Sequence, residues 1–261
     1  MKPPPYNGYI FDLDGTIYRG DRAIPGAAET IAGLRRHGRG VVFISNKPID
    51  RVAEYAEKLR RMGIPVSQRE ILNSSVVMAG YLARVAPGAG VYLIGEAPLR
   101  EELERAGIRI EADPLRVRYV VVSWDRAFSY HKINDALQAV RNGARLVATH
   151  ADATCPVEGG EVADAGAMIG AIEGTTRRRV EVIAGKPSDL MIEAALEILG
   201  LPGRECLMVG DRLETDMRMA GAVGMAGALV LTGVTRREEL AAAPVVPDYV
   251  LESVAELDPD A

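Results

Sequence analysis

The sequence has little cysteine, no long apolar run and no excess of basic charge, and each shortage narrows the possibilities. Cys155 and Cys206 are the only two cysteines in 261 residues. They offer no disulfide framework and no CxxC pair for a metal, and a reducing compartment suits them. The longest uncharged run lies between Arg218 and Arg236. It is shorter than the ~20 residues a spanning helix wants, and Gly221, Gly224, Gly227 and Gly233 interrupt it. Met1-Lys2-Pro3-Pro4-Pro5 does not resemble a signal peptide, so the expected setting is cytoplasmic, with no membrane. Lys and Arg total 31 against 36 Asp and Glu, a net charge of −5. That balance argues against a nucleic-acid partner, which calls for a basic surface. Paired-histidine zinc spacing and the GxxxxGK[ST] loop are both missing. Sequence repeats and low-complexity tracts are missing too.

What is present is a folding pattern. Hydrophobic residues make up 48% and charged residues 26%, which excludes a disordered chain and fits a globular one. Short β-branched runs such as Val41–Ile44, Val91–Ile94, Tyr119–Val122 and Cys206–Val209 alternate with helical patterns. Val52, Tyr55, Leu59 and Met62 keep one helix face apolar, and Gly63 closes it. Tyr130, Ile133, Leu137 and Val140 mark a second such face before Gly143. Strands alternating with helices predict an α/β fold with a parallel sheet covered on both faces.

Four clusters of polar residues follow apolar strands, where open α/β sheets bind ligands. Asp12-Leu13-Asp14-Gly15-Thr16 follows Tyr9–Phe11. Two acids at i and i+2 on extended chain point the same way. Their repulsion favours a cation between them, and oxygen ligands favour a hard one such as Mg²⁺. Ser45-Asn46 follows the next strand and supplies donors suited to phosphate oxygens. Lys186, in Gly185-Lys186-Pro187, is a compact positive charge suited to phosphate. Asp211 and Asp216 lie in Gly210-Asp211-Arg212-Leu213-Glu214-Thr215-Asp216, with Asp211 a natural third metal ligand and Asp216 near a helix start.

Taken in this order, DxDGT, Ser-Asn, Lys and GDxxxTD resemble the haloacid dehalogenase superfamily of phosphohydrolases. Tyr18-Arg19-Gly20, Ile24-Pro25-Gly26-Ala27, Ile94-Gly95-Glu96, Asp152-Ala153-Thr154 and Val230-Leu231-Thr232-Gly233-Val234 resemble its class IIA, nitrophenylphosphatase/NagD-like branch. The resemblance implies a Rossmann-like parallel-sheet core, at 1–79 and 184–261, with an inserted α/β cap of the type-two (C2) kind at 80–183. It implies a Mg²⁺-dependent phosphatase of small phosphorylated metabolites, sugar phosphates among them, with nitrophenyl phosphate as a surrogate.

The resemblance also implies roles. Asp12 is the expected nucleophile, forming an aspartyl-phosphate, and Asp14 the acid and then the base. The metal ligands are expected from Asp12, the Asp14 carbonyl and Asp211. Ser45, Lys186 and the amides of Leu13 and Asn46 are expected to hold the phosphoryl group. Gly15, Thr16 and Asp216 support the site. Lys47, His150 and Cys155 stand where the branch carries other residues, in loops that face substrate, and become specificity candidates. Pairing of copies through the cap is a further expectation. A phosphotransferase or mutase on the same scaffold is the rival reading, and a phospho-accepting signalling module the non-enzymatic one. Arg177-Arg178-Arg179, three like charges before a strand, reads as a solvated turn or an anion-binding patch.

Overall fold

The structure is a computed structural model, and it describes residues 3–157, 159–243 and 245–257. In chain order the first elements are β1 (Gly8–Asp12), the short strands β2 (Tyr18–Arg19) and β3 (Arg22–Ala23), α1 (Ala27–Arg36), β4 (Gly40–Ser45), α2 (Val52–Arg61) and β5 (Ile71–Asn73). Next come α3 (Ser74–Val85), β6 (Gly90–Ile94), α4 (Ala97–Arg105), β7 (Arg109–Ile110), β8 (Tyr119–Val122), α5 (Tyr130–Arg141) and β9 (Arg145–Ala148). The ribbon strands β10 (Thr154–Val157) and β11 (Gly160–Ala163) precede α6 (Ala165–Thr176) and β12 (Val182–Ile183). The chain finishes with α7 (Asp189–Leu199), β13 (Cys206–Gly210), α8 (Arg218–Ala222), β14 (Ala226–Val230) and β15 (Tyr249–Leu251). Among the described residues, no helix is long and apolar enough to cross a membrane.

The chain forms two compact units. The first takes in residues up to Ser45, Val52–Leu72 and the chain from Lys186 onward. Its sheet runs β15-β14-β13-β1-β4-β5. The pairs β1–β13, β1–β4, β13–β14 and β14–β15 are parallel. β1 lies centrally, with Phe11 opposite both Val209 and Phe43. Every residue of β1 is buried, which is why Tyr9-Ile10-Phe11 reads as a continuous apolar run. Phe11 and Phe43 sit with ring centroids 6.1 Å apart, and each fully buried ring contributes about 2–3 kcal/mol. α2 buries Tyr55, Ala56 and Leu59 from the face its spacing predicted.

The second unit comprises Asn46–Arg51 and Asn73–Gly185. Its sheet, β12-β9-β8-β6-β7, is also parallel throughout. Ile94, Val120, Val122, Leu146 and Ile172 share its core. β10 and β11 form a separate antiparallel ribbon.

Several elements differ from the sequence reading. A boundary at 79/80 falls inside α3, all of which belongs to the second unit. Asp216, expected near a helix start, lies instead in a wide five-residue turn, Leu213–Met217, that precedes α8. The strand that precedes Lys186 pairs only over Val182–Ile183. The ribbon β10–β11 had no periodic signal: Pro156 lacks an N–H, which a strand with a single neighbour tolerates.

Candidate active site

Three adjacent strands of the first unit deliver the site. β1 ends at Asp12, β4 at Ser45, and β13 at Gly210, with Asp211 next. Because β4 and β13 flank β1 on opposite sides, the chain changes direction across the sheet here, the point at which such sheets open a ligand crevice.

Asp12, Asp211, Asp216 and Lys186 are all buried. Lys186 Nζ donates to Asp12 Oδ1 and, at 2.8 Å, to Asp216 Oδ1. Asp216 sits in the wide turn and also accepts the Arg212 N–H at 3.1 Å. It is therefore a buried ion-pair partner rather than a helix-end surface charge, and wide turns of this kind recur at functional sites. Gly210 is required beneath it, because a Cβ there would overlap the Asp216 carboxylate. Asp211 Oδ2 accepts the Val234 N–H at 2.6 Å.

The loop after Asp12 is fixed by its own backbone. Ile17 and Tyr18 N–H groups donate to Leu13 O at 2.9 and 3.1 Å, and Gly15 N–H donates to Tyr18 O at 2.7 Å. Gly15 has φ +91°, and a Cβ on it would meet Asp211 Oδ2 at 2.6 Å. Only glycine meets both demands. Asp14, half-buried, bridges to Tyr18. Thr232 Oγ1 donates to Gly15 O at 2.6 Å. Lys58 Nζ lies 3.9 Å above the Tyr18 ring.

The electrostatics are lopsided. Burial pushes Asp12 up to about 8; Lys186 opposes the rise, and Asp216 and Asp211 add to it. Burial likewise raises Asp211 to about 6, with Asp216 adding and the Val234 N–H opposing. Lys186 loses by burial but gains more from Asp12 and Asp216, so it is held charged. Three carboxylates thus face one ammonium. Asp12, Asp211 and Asp216 each place an oxygen within 4.8 Å of the others. This donor set fits a divalent cation, which would complete the charge balance, and its all-oxygen chemistry suits a hard ion. Thr16 Oγ1 and Thr215 Oγ1 are buried without a hydrogen-bond partner among the described residues.

The remaining candidates are distributed between the units. Ser45 is buried at the end of β4, its Oγ 3.5 Å from Tyr55 Oη. Asn46 belongs to the second unit, where its Nδ2 donates to Asp152 Oδ2 at 3.1 Å. Lys47 is half-buried there. His150 and Cys155, expected on substrate-facing loops, are instead buried inside the second unit. His150 Nδ1 lies 2.9 Å from Thr149 Oγ1 and its Nε2 2.7 Å from Asp164 Oδ1. Both ring nitrogens are occupied, which removes His150 as a direct specificity contact. The sequence marks no site role for Thr232, Val234 or Lys58, and marks Tyr55 only as part of an apolar helix face. Thr232 and Val234 stood in a stretch that had been singled out, but neither carries a charge that would mark it.

Comparison with known proteins agrees with this geometry. Residues 9–109 match the family described as haloacid dehalogenase-like hydrolase, and residues 183–257 match one described as HAD-hydrolase-like. The chain is 39% identical over 250 residues to the sugar-phosphatase AraL of Bacillus subtilis, covering 96% of this chain and 91% of that protein. The structure of a p-nitrophenyl phosphatase from Archaeoglobus fulgidus superposes with a TM-score of 0.92 at 36% identity, covering 97% of this chain and 98% of that one. NagD from E. coli K-12 superposes with a TM-score of 0.90 at 30% identity, covering 99% and 100%.

Proposed function

We propose, from the premise that this chain belongs to the haloacid dehalogenase-like hydrolases and is a phosphoric monoester hydrolase of their NagD-like branch, that it is a Mg²⁺-dependent phosphatase of small sugar-phosphate-like esters. The observation that carries the reading is the buried set Asp12, Lys186, Asp211 and Asp216 at the ends of parallel strands. Relatives named as sugar phosphatases and nitrophenyl phosphatases support the substrate class.

In this reading an Asp12 carboxylate oxygen attacks phosphorus, and the bond from phosphorus to the ester oxygen breaks. Asp14 gives its proton to the departing alkoxide. It then takes a proton from the water that splits the aspartyl-phosphate, and inorganic phosphate leaves. Lys186, the Ser45 hydroxyl and the Leu13 and Asn46 amides hold the phosphoryl oxygens. Asp216 keeps Lys186 charged and aimed, at 2.8 Å. Asp12, the Asp14 carbonyl and Asp211 would hold Mg²⁺, which would supply the positive charge that lets an anionic nucleophile meet an anionic ester. The second unit acts as the cap that excludes competing water. Exposed Val157 and Val162 on the β10–β11 ribbon support pairing of copies through it. The low cysteine content supports a cytoplasmic setting.

The test is Asp12→Asn assayed on nitrophenyl phosphate with Mg²⁺. Turnover should fall by about a thousandfold or more; near-normal turnover would overturn the nucleophile assignment. Asp14→Asn should slow alkyl phosphates more than nitrophenyl phosphate, because only an alkoxide needs the proton. Equal losses on the first turnover of both substrates would contradict the acid role.

A further inference from the structure

The second unit carries a basic face that phosphate-ester hydrolysis does not use. α6 ends at Thr176, and Arg177, Arg178 and Arg179 follow. Arg177 holds the left-handed conformation, φ +55°, and is the only described non-glycine residue with positive φ. Glycine normally fills this helix-ending position because a Cβ is strained there. Its N–H closes the helix on Glu173 O at 2.8 Å. The carbonyl end of a helix dipole favours one basic residue; it does not call for three in succession.

These arginines wall two cavities. One, of about 360 Å³, is lined in part by Arg145, Arg178, Arg179 and Glu181. The other, of about 440 Å³, is lined by Arg177, Arg178, Arg179, Glu173, Gly170 and Gly174. Both hollows are open to solvent, and Arg177, Arg178 and Arg179 are exposed along them. Arg178 and Arg179 belong to both walls. Gly170 and Gly174 leave the helix side of the second cavity open, since a Cβ on either would meet nothing within 4 Å.

The acids present are already engaged. Glu173 accepts Arg179 at 2.5 Å and the Val180 N–H at 2.8 Å. Glu181 accepts Arg145 at 2.7 Å. Among the described residues, neither Arg177 nor Arg178 has an ion-pair partner. Four arginines against two glutamates leave a local excess of two positive charges in a chain whose net charge is −5. Guanidinium forks match phosphate oxygens in pairs.

We propose that this face is a second anion site, separate from the Asp12 centre, for a small molecule bearing two linked phosphoryl groups. Arg177 and Arg178, the two arginines of this face without an ion-pair partner among the described residues, take the two linked groups, with Arg179 beside them. Pyrophosphate is the minimal probe, and ADP tests whether the ligand is a nucleotide.

The experiment is calorimetric titration of the full-length protein with pyrophosphate, ADP and orthophosphate in EDTA, which keeps metal off both probe and protein. The wild type should bind pyrophosphate, and orthophosphate about tenfold more weakly. ADP binding more tightly than pyrophosphate identifies a nucleotide ligand; equal affinity identifies an inorganic one. The variant Arg177→Gly with Arg178→Ala should weaken pyrophosphate binding by about tenfold or more. It should fold, because glycine takes the positive φ without strain. Its Mg²⁺-dependent turnover of nitrophenyl phosphate should stay at the wild-type level, which separates this site from the catalytic reading. Three results would overturn the proposal: no pyrophosphate binding by the wild type, unchanged affinity in the double variant, or orthophosphate bound as tightly as pyrophosphate.

Discussion

In the first unit a parallel sheet brings three carboxylates, Asp12, Asp211 and Asp216, against the single ammonium of Lys186. In the second unit a sheet of the same parallel kind ends in Ser123, Thr149 and His150, whose hydrogen bonds close on Asp164. There Thr149 Oγ1 donates to Ser123 at 2.8 Å, and Asp164 Oδ1 also accepts the Ala165 N–H at 2.6 Å, capping α6. One set of buried polar groups finds hydrogen-bond partners for His150, Thr149 and Asp164 within its own unit. The other carries surplus negative charge that the chain does not neutralise. Complete networks rigidify a fold, whereas incomplete ones are poised to receive something. The difference separates a structural network from a reactive one more surely than burial does, since both sets are buried.

The strongest test of this contrast removes the buried ammonium that faces the three carboxylates. Lys186→Met should cut turnover of nitrophenyl phosphate by about a hundred- to a thousandfold. It should also destabilise the metal-free protein by about 3–5 kcal/mol, because three carboxylates lose their counter-charge. Urea unfolding with and without Mg²⁺ checks this, and Mg²⁺ should recover part of the loss. The matching experiment in the second unit is His150→Ala. It should cost about 1–3 kcal/mol through the hydrogen bonds lost at buried Asp164 and Thr149, yet leave turnover per folded molecule within about tenfold. Large activity loss without loss of stability would break the comparison, since His150 would then act on substrate.

A smaller effect is expected from pH. Burial holds Asp12 and Asp211 above their ordinary carboxylate range, at about 8 and about 6. The folded, metal-free protein therefore binds more protons than the unfolded chain, and stability from these groups falls as pH rises from about 4 to about 8. The urea midpoint without metal should be lower at pH 8 than at pH 6. Saturating Mg²⁺ should reduce or reverse that difference, because the ion expels the same protons, and Mg²⁺ affinity should rise across the interval. Mg²⁺ affinity independent of pH would contradict the surplus-charge account. The smallest effect belongs to Thr232→Val, which removes the 2.6 Å bond to Gly15 O. A loss of about 1 kcal/mol in stability, with a few-fold loss in turnover, would place the tie among supports of the Asp12 loop.

How much of this was legible in the sequence depended on whether the signal was local. Tyr9–Phe11, Val41–Ile44 and Cys206–Val209 are short apolar runs next to polar clusters, and each is a buried strand that ends at a site residue. Asp12 and Asp211 could be selected because each carries charge at or one residue past the end of such a run, and Lys186 because it follows the short apolar stretch Val182–Ala184. The paired strands β2 and β3 have two residues each, too few for any period to show. Thr232 could not be assigned because its partner, Gly15, is 217 positions away. His150 misled for a related reason. A histidine in a loop has no local mark of burial, and its partner Asp164 lies beyond an intervening ribbon.

The sequence by itself determined the alternation of elements, the class of chemistry and the identity of the charged groups, because hydrophobic period and residue type act over a few neighbours. The tertiary structure alone decided which of those charges would be left unbalanced. Asp216 became a buried partner of Lys186 through a wide turn that no local pattern announces. His150 and Asp164 joined one another through a hydrogen bond across a loop. Net charge sums over the whole chain, but Coulomb energy depends on distance and burial, and only the packed strands set those.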